Sequence, residues 1–255
     1  MNVKKTKFRI SVYYFFTTLQ EYFSFKIFRF IKNYLDFRKD YSVFVKQVKN
    51  IGAHFSIGPM YPCLNDKTDH TPMDYIYFYQ DAWACRKVFE LKPAHHYDIG
   101  SSVKTIGILA QFVPVTMIDI RKVEHNLPDL NFQEGTILAL PFKDNSVESI
   151  SSLCVIEHIG LGRYGDAIDT NGSEKAIAEL VRVTKQGGYI LFSVPVEDKN
   201  SVYFNAQRTF SREFILAQFS KCEIVEEKYI YNKRINANYL PGVIFEVGLF
   251  LFRKK

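Results

Sequence analysis

The stretch from His96 to Arg121 limits what this chain can fold into more than any other: His-Tyr-Asp-Ile-Gly-Ser-Ser-Val-Lys-Thr-Ile-Gly-Ile-Leu-Ala-Gln-Phe-Val-Pro-Val-Thr-Met-Ile-Asp-Ile-Arg. Tyr97 and Ile99 begin a short buried strand, and Gly100 with two small serines follows where a backbone must turn sharply. Thr105 to Phe112 places Ile106, Ile108, Leu109 and Phe112 at helical spacing, and Pro114 stops that helix. Val115 to Ile120 is a second apolar strand containing an acid, Asp119. The order is strand, tight turn, helix, strand, which demands two parallel strands joined by a helical crossover.

Such a unit, with an acid about twenty residues past the turn, is the one that holds a nucleoside in doubly wound sheets. The turn brings main-chain N–H groups close to a ligand, and the acid accepts both hydroxyls of a ribose. The turn has one glycine, Gly100, where a dinucleotide fingerprint has three, and Gly107 lies inside the helix. That shortage argues against a pyrophosphate and hence against nicotinamide-dependent redox chemistry. A plain parallel sheet without a ligand remains the alternative.

The 255 residues suffice for one sizeable domain plus an extension. Cys63, Cys85, Cys154 and Cys222 are scattered, with no Cys-x-x-Cys, and read as reduced and cytoplasmic. The net charge of +6 is uneven: residues 1–50 hold 11 Lys/Arg against 3 Asp/Glu, and the rest is slightly acidic. A nucleic-acid surface on the main domain is therefore not expected.

Residues 1–50 read as a basic, aromatic, helical arm. Phe16, Leu19, Phe23, Ile27, Phe30, Ile31, Tyr34 and Leu35 share one helical face; Lys26, Arg29, Lys32 and Asp36 share the other. Glu21, Lys26 and Arg29 interrupt any run long enough to span a bilayer. Two readings stay open for residues 8–38: packing on the domain or a second copy, or lying on the inner face of an anionic membrane. Residues 51–94 read as a connecting or lid segment followed by a helix. Asp69 or Thr71 caps that helix, which runs through Tyr75–Trp83 to about Leu91. Tyr75, Phe78, Tyr79, Ala82 and Val88 suit its packed face, or Tyr79, Gln80 and Trp83 lie at a pocket mouth.

Residues 95–255 read as an α/β domain. A third strand and turn fall at Asn131–Ile137, a fourth strand at Val147–Val155, and a fifth at Tyr189–Val196. Between the last two, Thr170 or Ser173 caps a helix that Gly187 and Gly188 close. Phe214–Phe219 is helical. Ile224–Tyr231 and Val247–Phe252 are final strands suited to antiparallel pairing.

Over about residues 95–254 this order, with Asp98-Ile-Gly100, Asp119-Ile-Arg121, Gly135…Leu140-Pro141-Phe142-x-Asp144-x-Ser146, Glu157-His158-Ile159 and Glu179-Leu180-x-Arg182-Val183…Gly187-Gly188, resembles the class I S-adenosylmethionine-dependent methyltransferases. The segments Asp81-Ala82-Trp83, Gly160–Asp166 and Phe204–Arg208 resemble a little-characterised subgroup known as a domain of unknown function. The resemblance implies a Rossmann-like, seven-stranded, mostly parallel sheet with an antiparallel last strand, plus the N-terminal helical extension. It implies S-adenosylmethionine as cofactor, held by Asp98, Gly100, Ser101, Asp119, Ile120, Gly135, Thr136 and Glu157. Ser101 and Ser102 depart from the family's glycine-rich loop, and Thr136 from a common adenine-contacting acid.

His158 follows the fourth strand, at the edge where ligands of open sheets bind, and serves as base or orienting group for a hydroxyl acceptor. Arg163 and Asp166 are further catalytic candidates. Arg163, Tyr164, Asn205 and Arg208 are candidates for holding a small-molecule or glycan-like acceptor. The histidines show no metal spacing, so no metal is expected. The competing functional class is a non-catalytic scaffold or membrane-surface protein that kept the fold and lost the cofactor.

Overall fold

The computed structural model describes residues 26–48, 58–243 and 246–255. The chain divides into two compact units, residues 1–72 and 73–255.

In the first unit, α1 (Lys26–Val48) carries the described part of the aromatic arm. Phe16, Leu19 and Phe23 of the expected apolar face lie outside the described residues. Phe30, Tyr34, Phe37 and Tyr41 follow one another along the helix with ring centroids 6.2–6.4 Å apart, the first and last pairs stacked and the middle pair tilted. Asn33 Nδ2 donates to the Leu64 carbonyl at 2.6 Å. Among the described residues no helix is long and apolar enough to cross a membrane.

The second unit begins with α2 (Tyr75–Leu91), capped by Asp74, whose carboxylate accepts the N–H groups of Ile76 and Tyr77. The expected caps Asp69 and Thr71 stand before the helix begins. Then come β1 (His96–Ile99), α3 (Val103–Leu109), β2 (Val115–Asp119), β3 (Leu130–Glu134) and β4 (Val147–Leu153). After a 3-10 turn at Ile156–His158 follow α4 (Gly172–Val183), β5 (Thr184–Val196), β6 (Ser201–Tyr203), β7 (Gln207–Thr209) and α5 (Arg212–Gln218). The unit ends with β8 (Cys222–Tyr231), β9 (Arg234–Asn236) and β10 (Glu246–Lys254).

The main sheet has the order β3-β2-β1-β4-β5-β10-β8-β9. Strands β3 through β5 are parallel, and β10 inserts antiparallel between β5 and β8. This mostly parallel sheet with an antiparallel strand agrees with the reading of the sequence. The described residues add an eighth strand: β9 hairpins onto β8 through Asn232 and Lys233, both at positive φ. A separate two-stranded hairpin pairs β6 with β7.

Alternation along the central strands supplies two cores. Ile190, Phe192 and Val194 of β5 and Phe250 and Phe252 of β10 pack with Ile177, Leu180, Ile215 and Phe219 of α4 and the α5 region. Leu191, Leu249 and Leu251 pack on the other face with Trp83, Val88, Ile106 and Leu109 of α2 and α3.

Three local expectations change. Helix α2 buries Gln80, Trp83, Ala84 and Val88, while Phe78 is exposed; Gln80 goes inside because Ser193 Oγ donates to its amide oxygen at 2.7 Å. Thr170 and Ser173 do not cap α4; Ser173 Oγ donates instead to the Ile156 carbonyl. Strand β5 starts directly after α4, so Gly187 (φ +72) sits in a strand irregularity rather than closing a helix.

Candidate active site

The carboxyl ends of β1, β2 and β4, the turn after β3, and the first turns of α2 surround a cleft of about 690 Å³. At its floor Gly100 has φ +70, and a Cβ there would press on Val155 at 3.1 Å and reach Asp119 Oδ2 at 3.9 Å. The bare backbone thus leaves a cradle that a side chain would fill. Ser101 and Ser102 line the cleft beside it.

The turn is held from behind by a buried polar chain. Asp98 is fully buried and lies outside the cleft lining. Its carboxylate accepts Ser101 N–H at 3.0 Å, Ser101 Oγ at 2.6 Å and Ser151 Oγ. Ser101 Oγ in turn accepts Leu153 N–H at 3.0 Å, tying the β1 turn to β4. His96 bridges Ser149 and Ser151 at 2.8 and 2.9 Å. Burial pushes the Asp98 carboxyl up to about 6 and the His96 imidazole down to about 3. Serine at position 101 therefore has a structural role: its hydroxyl supplies a cross-strand tether that glycine could not.

Asp119, at the end of β2, is nearly buried and lines the cleft with Ile120. Its Oδ1 accepts the Arg121 N–H at 2.7 Å, while Arg121 Nη2 reaches Oδ2 only at 3.5 Å. Gly135 and Thr136 form the neighbouring wall, with Thr136 Oγ1 accepting Leu138 N–H. Helix α2 and its cap contribute Asp74, Tyr77 and Asp81. These three escaped the sequence reading, although their spacing marks one polar stripe on the helix. Tyr79, Gln80 and Trp83, considered for the pocket mouth, are absent from the lining, and Trp83 Nε1 donates to Glu226 at 2.7 Å.

A second chamber of about 340 Å³ adjoins the cleft and shares Tyr77, Cys154, His158 and Tyr164 with it. His158 Nδ1 lies 2.8 Å from the Ala206 carbonyl, which accepts its proton, so Nε2 keeps the lone pair. Burial, then the Arg163 charge, lowers the His158 imidazole below its ordinary value. Arg163 Nη1 also donates to the Ala206 carbonyl at 2.8 Å. Tyr164 is covered by two guanidinium groups, Arg121 at 4.7 Å and Arg163 at 5.1 Å from its ring centroid. Asp166 lines the cleft, and both its oxygens accept loop N–H groups, from Gly160 at 2.6 Å and Tyr164 at 3.4 Å. Glu157 lies outside the cleft and lines the second chamber.

Two expected acceptor contacts stand elsewhere. Arg208 is buried, donating to the Ile159 and Asp169 carbonyls and to Ser173 Oγ. It pins the loop after β4 and lines neither cavity. Asn205 is exposed at φ +63 in the β6–β7 turn and also lines neither. Among the described residues no group of three or more His, Cys, Asp or Glu side chains is placed to hold a metal ion.

The backbone is similar to the YcgJ protein from Bacillus subtilis, at a TM-score of 0.51 and 16% identity over 70% of this chain and 99% of that one. A candidate sarcosine dimethylglycine methyltransferase from Galdieria sulphuraria matches at 0.53 and 17% identity, over 70% and 86%. The 1,6-didemethyltoxoflavin-N1-methyltransferase of Burkholderia thailandensis, solved with that compound and S-adenosylhomocysteine, matches at 0.50 and 13% identity, over 71% and 84%. The chain has the fold of the class I S-adenosylmethionine-dependent methyltransferases. Within that methyltransferase fold, residues 140–232 match the family described as Caenorhabditis protein of unknown function, DUF268. A stretch of 89 residues is 30% identical to demethylmenaquinone methyltransferase of Renibacterium salmoninarum, covering 35% of this chain and 31% of that relative. The match thus spans about a third of the relative's length.

Proposed function

We propose that the protein is an S-adenosylmethionine-dependent O-methyltransferase acting on a small or glycan-like hydroxyl acceptor. The observation carrying this reading is the placement of Gly100, Asp119 and Gly135 on one cleft, joined to a chamber at His158. The residues present fit the cofactor. The open Gly100 cradle suits its amino-acid portion, the Asp119 carboxylate its ribose hydroxyls, and the Gly135-Thr136-Ile137 turn its base. The lining holds Asp74, Asp81, Asp119 and Asp166 against Lys104 and Arg121, a balance that favours a cationic ligand.

When bound, S-adenosylmethionine supplies a methyl carbon on a sulfonium that leaves as a neutral thioether. The protein itself has to place the acceptor in line and remove its proton. His158 suits proton removal, because Nδ1–H is fixed on the Ala206 carbonyl and the lowered imidazole leaves Nε2 unprotonated near neutrality. Arg163 holds the same carbonyl and so fixes the imidazole orientation. Asp166 fixes the loop that carries both. The reading includes a cytoplasmic setting, which the four free cysteines suit.

Native mass spectrometry of protein purified without added ligand tests the reading. Carried-over S-adenosylmethionine or S-adenosylhomocysteine in the wild type, absent from Asp119→Ala, is the expected result. A ligand-free spectrum that stays unchanged after incubation with millimolar S-adenosylmethionine would favour the scaffold alternative.

A further inference from the structure

The second chamber contains a group that the proposed chemistry leaves unused. Glu157 is 2% exposed, lines the chamber, and its Oε2 has no hydrogen-bond partner among the described residues. A buried carboxyl with an unpaired oxygen carries a desolvation cost that a hydrogen bond made by either of its oxygens would offset. Its other oxygen, Oε1, lies 3.8 Å from His158 Nε2, the atom that holds a lone pair. The two groups are too far apart to satisfy each other and are spaced to engage neighbouring atoms of one guest.

Their protonation states are complementary. Burial pushes the Glu157 carboxyl up to about 8, outweighing its own backbone N–H, Cys154 and the Arg163 charge, so near neutrality it is a hydrogen-bond donor. Burial also lifts the Tyr77 phenol to about 12 and the Cys154 thiol well above its usual range. Among the described residues Arg163 is the only permanent cation of the lining, and it is committed to the Ala206 carbonyl. An oxygen that donates to Nε2 and an adjacent oxygen that accepts from the carboxyl would satisfy both groups. Ile76, Pro195 and Val247 supply apolar wall for the carbon skeleton.

We propose that the chamber is the acceptor site and that it selects an uncharged small molecule bearing two adjacent oxygens, one on His158 Nε2 and the other on the Glu157 carboxyl. This rests on the methyltransferase reading and narrows its substrate class to vicinal diols, the pattern of sugars and catechols. A volume of about 340 Å³ falls within the range of small-molecule sites. An ammonium acceptor is the competing chemistry, since it would draw Glu157 back to its carboxylate.

Ligand-observed NMR on the full chain, with S-adenosylhomocysteine present, tests this with catechol against phenol, cis-1,2-cyclohexanediol against cyclohexanol, and benzylamine. The expected result is at least tenfold tighter binding of one diol than of its mono-ol. Glu157→Gln, which keeps a donor, retains the preference; Glu157→Leu loses it, with S-adenosylhomocysteine affinity unchanged in both. Equal binding within both pairs, or tightest binding of benzylamine, overturns the proposal while leaving the methyltransferase reading standing. Absence of S-adenosylhomocysteine binding to wild type, measured separately, sinks that reading and the proposal with it.

Discussion

Glu157 and His158 are neighbours in sequence whose burial moves their protonation in opposite directions, and each makes a distinct prediction. His158→Ala should lower turnover about 10²–10⁴-fold with S-adenosylhomocysteine binding intact, measured by thioether product release. Glu157 acts on stability. Its folded carboxyl titrates at about 8 against an ordinary 4.5, so the folded chain holds the extra proton in that window. The stability it confers is complete below 4.5 and is lost as pH rises through 8. Asp98 behaves alike up to about 6, and His96 opposes it between about 3 and 6.5, so above 6.5 the Glu157 slope remains of these three. Tyr77, Cys154 and His158 face the carboxyl and titrate outside the 6.5–8.5 interval, the first two pushed up and the third down by burial. Urea unfolding should show wild type losing about 1–3 kcal/mol relative to Glu157→Gln between about pH 6.5 and 8.5. Parallel curves would contradict the burial effect. The sequence made His158 visible because it follows an apolar strand. It could not show that Arg208 turns inward, since that depends on three carbonyls brought together only by the folded loop.

Among the elements, the β1–α3–β2 unit was legible because strand and helix periods alternate cleanly around Gly100 and Pro114. The β8–β9 hairpin was hidden: three residues of β9 carry little periodicity, and Asn232-Lys233 is a weaker turn signal than Asn-Gly. The buried face of α2 was obscured by its many aromatics, and only Ser193 and Cys154 explain why Gln80 goes inside. The loop between β4 and α4 shows how little slack the site has. A Cβ at Gly160 (φ +81) would stand 2.1 Å from the Asp169 carbonyl oxygen. Gly160→Ala should therefore cost more than about 2 kcal/mol in denaturant unfolding and weaken the His158–Ala206 contact. In the sheet, Phe250 is fully buried against Phe192, Phe252 and Tyr229. Phe250→Ala should cost about 3–5 kcal/mol, without altering the cleft walls.

At the scale of the molecule, parallel strands that end together force their loops onto one edge, and the cleft and the chamber both lie there. Sequence order placed that edge; the division of its loops between a cofactor cleft and a separate chamber required the fold. A ligand binding the folded state alone at about a hundred times its dissociation constant stabilises it by about 2.7 kcal/mol. S-adenosylhomocysteine at that excess should raise the melting temperature by roughly 5–10 °C. Asp119 is the side chain on which the nucleoside assignment turns, because its carboxylate stands at the end of β2 with Oδ2 only weakly engaged by Arg121. Calorimetric titration with S-adenosylhomocysteine of wild type and Asp119→Ala is thus the most direct measurement. Micromolar binding by the wild type, weakened about 10–150-fold in the variant, is the expected result. No heat with the wild type, or equal affinity in both proteins, would contradict it.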